Sequence, residues 1–398
     1  MPRILPQGFG HPGQAAPRRY LSVRNFLYRL IAVLLGFSVA FGLAEISVRI
    51  ISPQETGPPS FAFNQVLGEI PVPHQKGRRR HPGAYDFTYS NNSQGFRCSR
   101  EFGPKTPGAL RVLLLGDSFT YGLGVNDDQT FACHLEQHLR ARHPAVEVIN
   151  AGCPGKGTDY ELKLFQTVAA KLQPEVTVLC FFANDFQDNA RGEYYDLTAD
   201  GGLRVKALDG TRGGIKTFLF NFPGYTWLIS WSQAANLVKQ AAVNYLVRKQ
   251  TGPGAAMTSG LVVSYTNFDN GFADDANRKL TAIYVDHLRQ AVRRAGSAWA
   301  VFYIPVAAEV EAYRRRPEAS RDEQAIKAIV ETRGGALNSL TPVLAAAPEP
   351  IGQLFYVEGH WTPRAHALAG GYMGSYLATL LQGKLRGKGA APRPLEKD

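Results

Sequence analysis

The chain has 398 residues, 44 basic and 33 acidic, with a net charge of +11. Its 44% apolar and 11% aromatic content excludes wholesale disorder, and the length leaves room for one domain of ~250 residues with an anchor and an insertion. The excess charge sits in residues 1–30 and in the tail from Gly383, so the nearly balanced body gives little reason to expect nucleic-acid binding.

Residues 1–26 read as a basic leader and 27–51 as a membrane span. The run LIAVLLGFSVAFGLA at 30–44 is free of charge and, with its apolar flanks, approaches the ~20 residues a bilayer requires. Arg18, Arg19, Arg24 and Arg29 precede it, which by the positive-inside bias puts the N-terminus in the cytoplasm and the rest of the chain outside, in the periplasm. A cleaved signal peptide and a buried core helix are the competing readings, but a small-residue cleavage site is not evident and the flanking arginines fit a core helix poorly. Residues 52–110, broken by prolines, read as a linker and lead-in, with KGRRR at 76–80 as a solvated loop.

From 111 onward strands and helices alternate. Val112–Leu115 is a buried strand, followed by a helix in which Phe131, Leu135 and Leu139 recur every four residues. Val146–Ile149 is a second strand, Asp159–Leu172 a helix, and Val176–Phe182 a third strand, apolar throughout. After an insertion at about 186–276, rich in aromatics such as Phe218, Phe220, Trp227 and Trp231, come a helix over Asn277–Ala295 and a strand over Ala298–Ile304. Leu354–Val357 reads as the last strand and leads to Thr362-Pro363, an N-cap followed by proline at the first helical position. A closing helix then runs to about 382, and 383–398 is a basic tail. This rhythm predicts a doubly wound α/β sheet with its ligand at the carboxyl ends of the strands.

Chemistry-bearing residues cluster at those ends. Gly116-Asp117-Ser118 follows the first strand, where a serine hydroxyl can stand clear of the sheet as a nucleophile, although the tripeptide alone is a common turn. Gly155 after the second strand offers a backbone N–H and Asn184 after the third offers an amide; with the Ser118 N–H they make a three-donor oxyanion hole. His360, far along the chain, is placed to serve as general base. Cys98, Cys133, Cys153 and Cys180 include no C-x-x-C pair; Cys98 and Cys133 are a conceivable disulfide outside the cytoplasm.

Five blocks in this order resemble the SGNH, or GDSL-type, hydrolase family: Asn92–Arg97, LLLGDSFTYGLGV at 113–125, NAGCPGKGT at 150–158, FFANDFQDN at 181–189 and EGHWTPRAHALAG at 358–370. The resemblance implies a flavodoxin-like α/β/α sandwich and ester hydrolysis or acyl transfer without metal or other cofactor. It makes Ser118 the nucleophile, Gly155 and Asn184 oxyanion donors and His360 the base. Two departures stand out. Phe182 replaces a usual glycine and is expected to narrow the space beside the oxyanion hole. Val357 stands where the acid usually lies, which turns attention to Glu358, with a Ser–His dyad or the remote carboxylate of Asp188 left open. The expected activity is that of a membrane-tethered esterase or O-acyltransferase on an acylated small molecule or polysaccharide. The alternative is a catalytically inactive, glycan-binding relative within an envelope assembly.

Overall fold

A computed structural model describes residues 20–198, 201–208, 222–251 and 272–389 of the chain. Residues 1–19 of the leader, the far tail and much of the insertion, including Phe218 and Phe220, lie outside the described residues. The chain divides into two compact units at Pro53/Gln54.

The first unit is dominated by one helix, α1 (Tyr20–Ile51), of which Val23–Ile51 is long and apolar enough to cross a membrane. Near its end Arg49 donates to Glu45 at 2.8 Å, one turn apart, so the two charges that interrupt the apolar run neutralise each other.

The second unit begins with two antiparallel hairpins, β1 (Phe61–Asn64) with β2 (Gly68–Pro71) and β3 (Lys76–His81) with β4 (Tyr85–Ser90). KGRRR is therefore not a solvated loop but most of strand β3. Arg79 points inward, is buried, and donates to Glu55 at 2.6 Å. On β4 the period-two alternation of Tyr85, Phe87 and Tyr89 buries three aromatics with Tyr121 and Leu123, so the lead-in packs against the domain that follows.

There follow β5 (Leu110–Gly116), α2 (Ser118–Tyr121), α3 (Phe131–Arg140), β6 (Val146–Asn150), α4 (Thr158–Thr167), β7 (Val176–Phe182) and α5 (Asp185–Ala190). A short hairpin, β8 (Tyr195–Leu197) with β9 (Leu203–Val205), and the helices α6 (Pro223–Trp231) and α7 (Gln233–Thr251) belong to the insertion. The chain closes through α8 (Asp275–Arg294), β10 (Ala298–Ile304), α9 (Ala307–Arg315), α10 (Arg321–Glu331), β11 (Leu337–Ser339), α11 (Thr341–Ala345), α12 (Ile351–Leu354) and α13 (Pro363–Gly389).

Five strands form one parallel sheet in the order β11-β10-β7-β5-β6. Successive side chains alternate between its faces, and both faces are covered. Leu113, Leu115, Ile149, Leu179, Phe181, Val301 and Tyr303 pack under α4, α8 and α10. Val112, Leu114, Val178, Cys180, Phe302 and Ile304 pack under α3 and α13. This is the three-layer α/β/α sandwich, and burial on both sides explains why its strands are continuous apolar runs.

Two further expectations need correction. Leu354–Val357 is not a strand: Leu354 ends the short helix α12, and Phe355 makes only an isolated bridge to Trp361. The last strand of the sheet in chain order is instead β11, an edge strand three half-buried residues long. The cysteines are all free, Cys98 and Cys133 included.

Candidate active site

β5 is the middle of three adjacent strands and its carboxyl end turns sharply into α2. Asp117 caps that turn, its Oδ1 accepting from the Phe119 N–H at 2.9 Å. The turn is clamped from two sides. Asn150, the last residue of β6, donates from Nδ2 to the Thr120 carbonyl at 2.7 Å and accepts the Gly152 N–H at 3.1 Å. The fully buried Arg97 side chain donates to the carbonyls of Tyr121, Gly122 and Val125 at 3.2, 3.0 and 2.7 Å and pairs with Asp127 at 2.6 Å. Three backbone carbonyls of one turn thus share a single guanidinium. Gly152 passes so close that a Cβ there would stand 2.3 Å from the Tyr121 nitrogen.

Held this way, the Ser118 Oγ lies 2.9 Å from the His360 Nε2, across 242 positions of sequence. His360 sits on a tight loop between α12 and α13. The Tyr356 N–H donates to the His360 carbonyl at 2.8 Å and the Gly359 N–H to the Tyr356 carbonyl at 2.9 Å, and Gly359 takes φ 102°, which favours glycine. Trp361 anchors the loop: it is fully buried and its Nε1 donates to the Pro305 carbonyl at 3.3 Å. The Phe119 ring forms the floor, 4.9 Å from the imidazole and 5.4 Å from the indole, centre to centre. Pro363 opens α13 as expected, but the Thr362 hydroxyl donates to the Gln353 carbonyl at 2.6 Å.

Phe182 does not crowd the cleft. Strand alternation turns it, with Cys180 and Val178, into the layer under α13, where its buried ring meets Phe119 at 4.6 Å. Glu358 reaches back to the histidine. Its Oε1 is 3.3 Å from the His360 Nδ1 and its Oε2 accepts the His360 backbone N–H at 3.3 Å, with both side chains almost fully buried. Asp188 is engaged elsewhere, accepting from Asn184 Nδ2 at 3.2 Å and pairing with Arg191 at 2.8 Å.

Gly155 follows β6 and Asn184 follows β7, the two strands that flank β5, so the two expected donors stand on either side of the serine's strand at the same edge of the sheet. Several carboxyl groups on the segments that follow β5, β6 and β7 are buried. Burial raises Asp117 and Asp159 to about 7 and Asp188 to about 6, and lifts Glu161 and Asp185 well above the ordinary carboxylate range. His366 is the converse case. Wholly buried, it accepts the Phe131 N–H through Nδ1 at 3.1 Å at the start of α3, and burial lowers its pKa to about 3. Among the described residues no three histidine, cysteine or acidic side chains converge as metal ligands. Arg97, Asn150 and His366 are roles that reasoning from sequence missed; the position of each within a resembling block was the signal that pointed to them.

A serine and a histidine in hydrogen-bond contact at the carboxyl edge of a parallel sheet, with a carboxylate behind the imidazole, is the arrangement that nucleophilic hydrolysis requires. The chain belongs to the GDSL-like lipase/acylhydrolase family, whose model matches residues 114–368. No curated protein matches it in sequence. Similar solved structures include the psychrotrophic esterase EstA from Pseudoalteromonas sp. (12% identity, covering 68% of this chain and 98% of that one, TM-score 0.36). Others are the acetyl xylan esterase AlAXEase (14%, 67% and 100%, 0.37) and a two-domain esterase active on acetylated mannans (11%, 68% and 50%, 0.38).

Proposed function

We propose that the chain is a membrane-tethered serine esterase or O-acyltransferase that works through an acyl-serine intermediate. The observation that carries this reading is the 2.9 Å contact between the Ser118 Oγ and the His360 Nε2. In the first half-reaction Oγ attacks the ester carbonyl carbon while its proton passes to Nε2. The carbonyl oxygen, now an anion, is received by the N–H groups of Ser118 and Gly155 and the Asn184 amide, each such donor being worth ~3 kcal/mol in the transition state. The bond to the alcohol breaks and His360 returns the proton to the departing oxygen. In the second half-reaction water or a sugar hydroxyl attacks the acyl-serine and gives its proton to His360; the bond from the acyl carbon to Oγ then breaks and His360 returns that proton to the Ser118 Oγ. Glu358 holds the imidazole with Nε2 toward the serine.

The helix Val23–Ile51, with arginines before it and in its first turns, is read as an uncleaved signal anchor that places the catalytic unit on the periplasmic side of the cytoplasmic membrane. Acylated polysaccharide of the envelope is the substrate class that this location favours. The alternative of an inactive glycan-binding relative leaned on Phe182 and on the acid missing at Val357. The burial of Phe182 in the core and the 3.3 Å approach of Glu358 to the imidazole favour the esterase reading over that alternative. The test is hydrolysis of an aryl acetate by the full-length chain in detergent. Turnover that disappears in Ser118→Ala is expected; equal turnover in that variant would reject the nucleophile.

A further inference from the structure

We propose that Asp188 and Arg191 are positioning residues that lock the Asn184 amide in its donating orientation and tie together the two loops bearing the oxyanion donors. The proposal rests on the serine-esterase reading above and adds to it residues that do not touch the substrate.

Asn184, Asp188 and Arg191 are spaced four and three apart, so they share one side of α5 and its C-terminal cap. One Nδ2 hydrogen of Asn184 goes to Asp188 Oδ2 at 3.2 Å, and Asp188 Oδ1 pairs with Arg191 at 2.8 Å. The other guanidinium nitrogen of Arg191 donates to the Gly155 carbonyl at 3.3 Å, which carries the chain of contacts from the loop after β7 to the loop after β6. The Asn184 Oδ1 is buried and accepts no hydrogen bond among the described residues, so the contact from Nδ2 to Asp188 is what fixes the plane of the amide. An amide nitrogen has two hydrogens: with one fixed on a carboxylate, the plane of the group is set and the second is free for an oxyanion. The helix that carries Asp188 is itself pinned, because Asn189 accepts the Asp159 N–H at 3.0 Å and donates to Thr281 at 2.9 Å.

Charge explains why the arginine is needed. A lone carboxylate behind an oxyanion donor would oppose the negative charge that develops in front of it. Arg191 offsets that charge, so Asp188 acts as a strong acceptor at little electrostatic cost to the reaction.

A double-mutant cycle in the full-length chain, with kcat and KM for an aryl acetate, decides the matter. Asp188→Ala is expected to lower kcat about tenfold with KM within about twofold, and Asp188→Asn, which keeps an acceptor oxygen, to restore a good part of the loss. In an Asn184→Ala background the Asp188→Ala change should cost less than about twofold, because a residue that acts through the amide has nothing left to position. An equal loss in both backgrounds, or a loss confined to KM, overturns the proposal. Should Asp188→Ala not fold, Asp188→Asn carries the same cycle, with a loss of about threefold expected in the wild-type background and none beside Asn184→Ala. If Asn184→Ala alone is as active as wild type, the oxyanion role of Asn184 fails and this proposal with it, whereas failure of the esterase reading as a whole shows separately, as turnover that survives Ser118→Ala.

Discussion

Gly152→Ala tests whether the site depends on the close approach of two loops. A Cβ at this position would stand 2.3 Å from the Tyr121 nitrogen, 2.7 Å from the Thr120 carbonyl carbon and 2.9 Å from the Thr120 Cβ. Ordinary contact is about 3.5 Å, so the loops must part by roughly 1 Å. Neither yields easily: the α2 turn is clamped by Arg97 and Asn150, and the Cys153 N–H donates to the Gly116 carbonyl at 2.9 Å. Forced overpacking of this kind costs about 1–3 kcal/mol, and a displacement of about 1 Å between a nucleophile and its oxyanion donors costs about 100-fold in turnover. Thermal denaturation and aryl-acetate kinetics on the folded variant measure the two effects together. A variant with unchanged Tm and with kcat within threefold of wild type would show that the clamp does not matter.

Three further outcomes are expected. Glu358→Gln, which removes the charge behind the imidazole but keeps its shape, should lower kcat about 10- to 1000-fold with little change in KM; a loss under threefold would mean that Ser118 and His360 act as a dyad. Trp361→Ala removes a fully buried indole and its bond to the Pro305 carbonyl, and should cost about 3–5 kcal/mol by denaturant unfolding; a loss below about 1 kcal/mol would remove Trp361 as the anchor of the histidine loop. His366 is neutral when folded, with its pKa lowered to about 3, so its contribution is full above the unfolded value of about 6.5 and is lost as pH falls from there toward 3. His366→Asn keeps an acceptor for the Phe131 N–H without the titration, so its stability gap to wild type should close by about 2 kcal/mol between pH 7 and pH 5, and a gap independent of pH would contradict this.

What was legible in the sequence followed from how far each signal reaches along the chain. β5, β7 and β10 are buried on both faces, so their apolar runs show without any partner in view. The site blocks were legible because each is a short segment at the end of a strand. β11 escaped because it is three residues long and only half-buried, and α9 and α10 because their exposed faces carry many charges. The burial of Arg79 depends on Glu55, 24 positions earlier, and on pairing of β3 with β4; nothing local to KGRRR distinguishes it from a solvated loop. The alternation at Tyr85–Tyr89, by contrast, was open to reading as a strand. Phe182 looked like an obstruction because its face of the sheet depends on register, and one position decides between cleft and core.

The central claim is that Ser118 is activated by His360 for attack on a carbonyl. It is tested most directly by treating the full-length chain with a fluorophosphonate probe and mapping the adduct by mass spectrometry. A single covalent adduct on Ser118, greatly slowed in His360→Ala and lost in Ser118→Ala, is the expected result; labelling that persists in Ser118→Ala, or that is indifferent to His360, would contradict it.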